Sequence, residues 1–350
     1  MKIGDMFLNI HLKKNRMRII NTYLVVFFFS YVLACNSPDI ELNSETKEYN
    51  ASIFAQIKGI DNYNGIGAQG FATFGNVGFC FYDSGYCKTI DLDEKKIIAS
   101  FILPDGVANP YNHCGVACFS NIFYDKDDKY PLLYLSSYKE YLCYVLRMTE
   151  TSAELVQVIQ MKDDKGKVIP IYAFMPDGDK LLLKSNYPTK INGSYEYIWK
   201  IVSRPEITTE INSVLFYKDV IKTFSVFSSE LYNAGFCKNG RIYQIAGYGG
   251  FGSKKLYIID YNNGIVIKEI VWQEDFLFNK EQEQCSPYGN DGMLINYNDG
   301  DYISYIRFLD FSYDDVTSIV IVNSVRTRTE KNKYLRKGKV VIDNVDIKYN

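Results

Sequence analysis

Glu230 and Glu283 recur at matching places in the chain, each about nine or ten residues before a Gly turn, Gly240 and Gly292. Two carboxylates facing across a cleft are what a glycan-cleaving hydrolase or lyase needs, one as acid and one as nucleophile or base. The recurrence itself argues the other way, because a residue repeated in register serves neighbouring backbone more often than chemistry. No third acid holds a comparable position. The pair therefore stands as the alternative, catalytic reading, and the leading reading names no catalytic residue. Histidine narrows the chemistry further. The chain has two, His11 and His113, and His11 lies in an N-terminal segment read below as a cleaved leader. One remaining imidazole rules out a multi-histidine metal site and makes any His-dependent step rest on His113.

Other polar side chains sit on segments that open a repeating unit: Gln69, Asn112 beside His113, Tyr172, Tyr232 and Tyr288. In a ring of β-sheets such opening strands line the centre, so these six are the candidate binding residues. Seven cysteines follow Cys35, an odd number. Cys80 and Cys87 flank a turn and would face each other across a hairpin if oxidised, but buried free thiols, acting as small apolar groups, are the favoured reading. Cys114 and Cys118 beside His113 have no second ligand pair at zinc spacing. The acidic turns at Asp125, Asp127 and Asp128, at Asp163 and Asp164, and at Asn298 to Asp301 lack the spacing of a calcium loop. The run Gly247 to Gly252 lacks the helix and Lys-Ser/Thr of a phosphate loop. No metal and no cofactor is expected.

The elements that would position these residues are strands. The chain has 30 Tyr and 22 Phe against 2 Trp, spread through Val- and Ile-rich segments, which is β-sheet composition. Five regions share one order: an opening segment, a Gly turn with an apolar strand, a Tyr-rich strand and a further apolar strand. The third strands are read at 86–92, 141–148, 195–202, 255–261 and 302–308, each alternating as a half-buried strand. The fourth are read at 97–103, 155–161, 213–217, 265–272 and 317–322. Four strands per copy of about 50 residues is the size of a propeller blade. The expected fold is an all-β β-propeller of five four-stranded blades, with six blades as the alternative and a β-sandwich as the plainer one. Segments 52–58 and 339–348 remain over, and either would cover a strand edge where the ring closes.

The N-terminus reads as a bacterial lipoprotein signal over residues 1–34. Lys13, Lys14, Arg16 and Arg18 precede an apolar run from Ile19 to Ala34 that ends Val32-Leu33-Ala34-Cys35. The run is shorter than the ~20 residues of a membrane span. Cys35 is the expected lipidation site, residues 35–50 a polar flexible tether, and residues 51–350 a single propeller domain. A formal net charge of −2 offers no field for nucleic acid. The basic run from Arg326 to Lys339 reads as an exposed linker.

The stretch that opens with His113 and continues through Phe123-Tyr124-Asp125-Lys126 and Pro131-Leu132-Leu133-Tyr134-Leu135-Ser136 resembles a signature of TolB-like propeller lipoproteins of Bacteroides-type bacteria. It is also similar to the five-bladed propellers of phage receptor-binding and TagC-like proteins. The resemblance implies an outer-surface or periplasmic binding propeller without an agreed enzymatic role, and it carries over no catalytic residue. The expected protein is a monomer held at the outer membrane by its lipid, on the periplasmic or surface face, and its expected partner is a glycan, peptide or envelope protein.

Overall fold

Five antiparallel ladders, each beginning at one of the opening segments, account for most of the chain. The structure, a computed structural model, describes residues 49–60, 62–63, 66–109, 112–208, 211–247, 254–273, 280–298, 301–308, 313, 319–323 and 339–343. The leader, Cys35 and most of the tether lie outside these residues, as do 248–253 of the Gly-rich loop and 324–338 of the basic run. All described residues fall in one compact unit, Glu48–Asn350.

The ladders follow one another along the sequence. The first runs Ile66–Phe74, Val77–Tyr82, Tyr86–Asp91 and Lys96–Ile102; the second Cys114–Phe119, Leu133–Ser137, Leu142–Met148 and Ala153–Lys162. The third runs Ile171–Asp177, Lys180–Ile191, Ser194–Ser203 and Val220–Ser228; the fourth Tyr232–Lys238, Arg241–Ala246, Lys254–Asp260 and Ile265–Gln273. The fifth has Gln282–Tyr288, Gly292–Tyr297 and Tyr302–Arg307 in sequence, and takes its outermost strand from the other end of the chain, Ser52–Gln56. Each innermost strand touches the next, and the fifth touches the first, which closes the ring. The fold is an all-β propeller.

Two expected fourth strands are corrected. Asn212–Phe216 does not belong to the third ladder; it adds in parallel to the outer edge of the second, and Val220–Ser228 takes its place. Ile319–Asn323 does not complete the fifth ladder. It pairs with Ile122–Phe123 and with Lys339–Asp343, leaving the closure to Ser52–Gln56. The alternation expected of third strands also belongs elsewhere. Tyr86–Asp91 is buried through its middle on both faces, whereas the outermost Lys96–Ile102 alternates exposed and half-buried. A blade packed between two neighbours buries both faces of its inner strands, so only the rim shows a period of two.

The core lies between ladders. Phe74, Phe79, Phe119 and Tyr130 meet edge to face, tilted or, for Phe119 on Tyr130, stacked, at 5.1–6.2 Å between the first and second, each such contact contributing ~0.5–1.5 kcal/mol beyond its buried area. The abundance of Phe and Tyr is explained by this filler role. Gly70 marks a close approach: a Cβ there would lie 2.6 Å from the Cys114 carbonyl of the second ladder. All seven described cysteines are free thiols in the structure. Cys80 opposes Lys88 and Cys87 opposes Phe81, so adjacent registers point the two thiols to opposite faces of the sheet. Burial pushes the Cys80 and Cys118 thiols up to about 12, which keeps them uncharged and inert.

Candidate binding site

Every innermost strand carries a register break near its start, between Ala68 and Phe71, Cys114 and Val116, Ile171 and Ala173, Tyr232 and Gly235, and Gln282 and Gln284. A bulge re-aims the residue it leaves unpaired. Here a residue skipped at the break in each ladder, Gln69 (beside Gly70), Gly115, Tyr172, Asn233 (beside Ala234) and Glu283, lines a single cavity of about 610 Å³ at the starting end of the inner strands. Its wall is completed by His113, Tyr138, Lys184, Tyr195, Tyr197, Tyr232 and Glu281, among others.

Gln284 forms the floor. Its Oε1 accepts from the backbone N–H of Phe71 (2.8 Å) and of Ala117 (2.9 Å), and its Nε2 donates to the carbonyls of Ala117 (2.6 Å) and Gly235 (3.2 Å). One fully buried amide from the fifth ladder thus ties the inner strands of the first, second and fourth across the ring axis. A second cavity, of about 460 Å³, opens at the far end of those strands, lined by Phe74, Phe119, Asp177, Lys238 and Tyr288 among others.

A second set of ties runs around the ring. The residue of each second strand facing the register break is Cys80, Ser136, Lys184, Gln244 or Asn296. Ser136 Oγ accepts from Phe174 N–H, Lys184 Nζ donates to the Asn233 carbonyl (3.0 Å) and Asn296 Nδ2 to the Gln69 carbonyl (3.0 Å), each reaching the next ladder. Gln244 Nε2 joins Lys184 on the Asn233 carbonyl.

The tyrosines form two groups. Tyr197 and Tyr232 stack at 4.1 Å with an interplanar angle of 14°, and Tyr197 Oη accepts from Tyr232 N–H. Tyr138 contacts both His113 (5.5 Å) and Tyr172 (4.6 Å). His113 Nδ1 lies 2.6 Å from Asp83 Oδ1, joining the second ladder to the first. Electrostatically the cup has two poles. Removal from water pushes the half-buried Glu283 carboxyl well above the usual carboxylate range, reinforced by Glu281 and Asp83, with Asn298 alone working against it. Glu281 is raised for the same reason, less so because Lys254 stands near. Burial alone pushes the Lys184 ammonium down to about 8.

Of the residues singled out from sequence, Gln69, His113, Tyr172, Tyr232 and Glu283 meet in this cup. Asn112 lies beneath it, fully buried, its Nδ2 donating to the Val107 carbonyl. Tyr288 lies in the far cavity, packed on Phe54 and Tyr305. Glu230 does not line the cup; it sits in the turn between the third and fourth ladders, its backbone held by Ser228 Oγ. The acidic turns at Asp125 and Asp163 are closed by their own backbone N–H groups. Glu281 and Lys184 were missed. The alternation Glu281-Gln282-Glu283-Gln284 already carried the signal that the two glutamates share a side, and Lys184 was a lone charge ending the apolar run Leu181-Leu182-Leu183.

Comparison with known proteins finds structural similarity at low sequence identity. No family model matches the sequence, and no curated protein does. The β-propeller domain of Cps50 (Swd1) from Myceliophteria thermophila aligns at 8% identity with a TM-score of 0.36, over 69% of this chain and 83% of that one. Glutaminyl cyclase from Myxococcus xanthus aligns at 12% identity and TM-score 0.45, over 74% and 97%. The tail fiber of Staphylococcus aureus phage P68 aligns at 10% identity and TM-score 0.46, over 74% of this chain and 52% of that chain, so the chain spans about half its length. It spans 30% of a matched Chaetomium thermophilum Raptor chain.

Proposed function

We propose that the protein is a cell-envelope binding propeller, lipid-anchored through Cys35 as an outer-membrane lipoprotein of the TolB-like kind, that holds a glycan in the tyrosine-lined cup without turning it over. The observation that carries this reading is the convergence of the five bulge residues on one blind cavity. Aromatic faces on Tyr138, Tyr172, Tyr197 and Tyr232 suit sugar rings, and Gln69, Asn233, His113 and Glu283 offer donors and acceptors for hydroxyls. Gln284 closes the cup, so a ligand must enter and leave by the same mouth.

A glycan array on the protein from residue 36 onward, scored for retention and for release of reducing ends, tests the proposal. Retention that disappears in Tyr138→Ala, a half-buried lining residue, while the protein stays folded is the expected result; no retained glycan refutes it. Release of reducing ends would favour the alternative of a hydrolase or lyase. One observation supports that alternative: burial raises the pKa of the Glu283 carboxyl beside a second carboxyl, Glu281, the direction a general acid needs. Glu230, away from the cup, would not take part.

A further inference from the structure

Lys184 and Glu283 are charges that the fold itself does not call for. At the register of Lys184 the other four ladders carry the uncharged Cys80, Ser136, Gln244 and Asn296, and neutral side chains serve there to bond backbone. The Asn233 carbonyl also accepts from the neutral Gln244 amide, so an ammonium is not its only donor. Among the bulge residues, Gln69, Gly115, Tyr172 and Asn233 are likewise uncharged and Glu283 alone is an acid. Buried charge is costly unless paired. Yet Lys184, 93% buried, has only one carbonyl and the face of the Tyr197 ring, 5.8 Å away, as described partners and no described anion, and no described cation pairs with Glu283. The nearby basic groups are engaged elsewhere: His113 with Asp83, Lys254 with the Lys280 carbonyl and beside Glu281. The two odd charges stand on the third and fifth ladders with the fourth between them, and no ion pair joins them.

Resting on the glycan reading above, we propose that the cup selects a zwitterionic saccharide, one whose ammonium is received by Glu283 and whose acidic group is received by Lys184, with the ring lying on the tyrosines between. Each ligand charge would supply the counter-ion that the fold omits, and the cavity volume lies in the range of a small-ligand site.

The test is calorimetric or NMR titration of the protein from residue 36 onward with four sugars: muramic acid, which carries both charges, N-acetylmuramic acid, glucosamine and glucose. A charge-assisted hydrogen bond contributes ~1.5–3 kcal/mol, so muramic acid should bind at least ~10-fold tighter than either singly charged sugar. Glu283→Gln should reduce muramic acid to the affinity of N-acetylmuramic acid, and Lys184→Gln to that of glucosamine. The wild-type series decides the matter even if a variant fails to fold. Four equal affinities, or a preference for glucose, overturn the zwitterion and leave the glycan reading standing. Binding of none of the four overturns the zwitterionic saccharide. Should the dipeptide Gly-Gly then bind, with loss on acetylating its amine or amidating its carboxyl, the two-charge site holds and the glycan reading falls.

Discussion

Replacing Gln284 isolates the tie that crosses the ring. Gln284→Leu keeps most of the volume but leaves the N–H groups of Phe71 and Ala117 without an acceptor and removes a donor from the Ala117 and Gly235 carbonyls. A buried donor left unmade costs ~1–3 kcal/mol. Two of them, with a smaller loss at the carbonyls, amount to about 4 kcal/mol, a large share of the ~5–15 kcal/mol by which a domain is stable. Urea unfolding followed through the buried Trp199 and Trp272 would read this as a lowered midpoint with unchanged slope, and a thermal scan as a fall of roughly 8 °C. Gln284→Glu sharpens the test. Its carboxylate still accepts from both N–H groups but sets an oxygen against the carbonyls of Ala117 and Gly235, and only the protonated acid donates there. Burial thus raises its folded-state pKa, so the variant's stability is greatest below the ordinary glutamate range and is lost as pH rises through the raised value. A Leu variant within ~1 kcal/mol of wild type, or a Glu variant with wild-type stability at every pH, would show that the amide only fills space.

Further outcomes follow from the same geometry. Because folding lowers the Lys184 pKa from 10.5 to about 8, the unfolded chain holds the extra proton between those values; wild type should therefore gain stability relative to Lys184→Gln as pH rises from 8 to 10.5, by up to about 3 kcal/mol. Parallel melts of the two proteins across that range check it, and superimposable curves would refute it. The Glu283 carboxyl is raised, so its contribution is fully favourable below the normal glutamate pKa and is lost as pH climbs through the raised one. Glu283→Gln should accordingly melt above wild type at pH 7 and converge with it at pH 4. Deleting residues through Gln56 strips the outer strand from Tyr302–Arg307 and exposes its edge; light scattering should show self-association, reversed by adding the 49–58 peptide.

The parts of this fold visible in the sequence are those fixed locally. Gly178, Gly240 and Gly292 before apolar runs announced hairpins, and the Tyr-rich strands after them fell where expected, because short-range turn chemistry specifies both. Outer strands were misplaced where pairing is set by remote partners: nothing within Asn212–Phe216 says that it joins Ala153–Lys162 in parallel, and nothing within Ile319–Asn323 says that it leaves the fifth ladder, whose edge Ser52–Gln56 covers as the closing segment expected from sequence. The cup was half legible for a similar reason. Gln69, Tyr172, Tyr232, His113 and Glu283 stood on recognisable opening strands. Lys184 stood on a second strand, and only the register of the ladders shows that this position reaches the centre.

The closure between Ser52–Gln56 and Tyr302–Arg307 also sets an order in time. Ser52 pairs with Tyr305, a separation of 253 residues, the difference of their numbers. At ~5–20 residues per second of synthesis, the earliest strand waits roughly 10–50 s before its partner exists. During that interval the first four ladders can form from neighbouring segments, while the fifth cannot be completed and the ring stays open at one seam. The fifth ladder can therefore be completed only after Tyr302–Arg307 has been made, so a helper that shields Ser52–Gln56 until then would raise the yield of the whole protein.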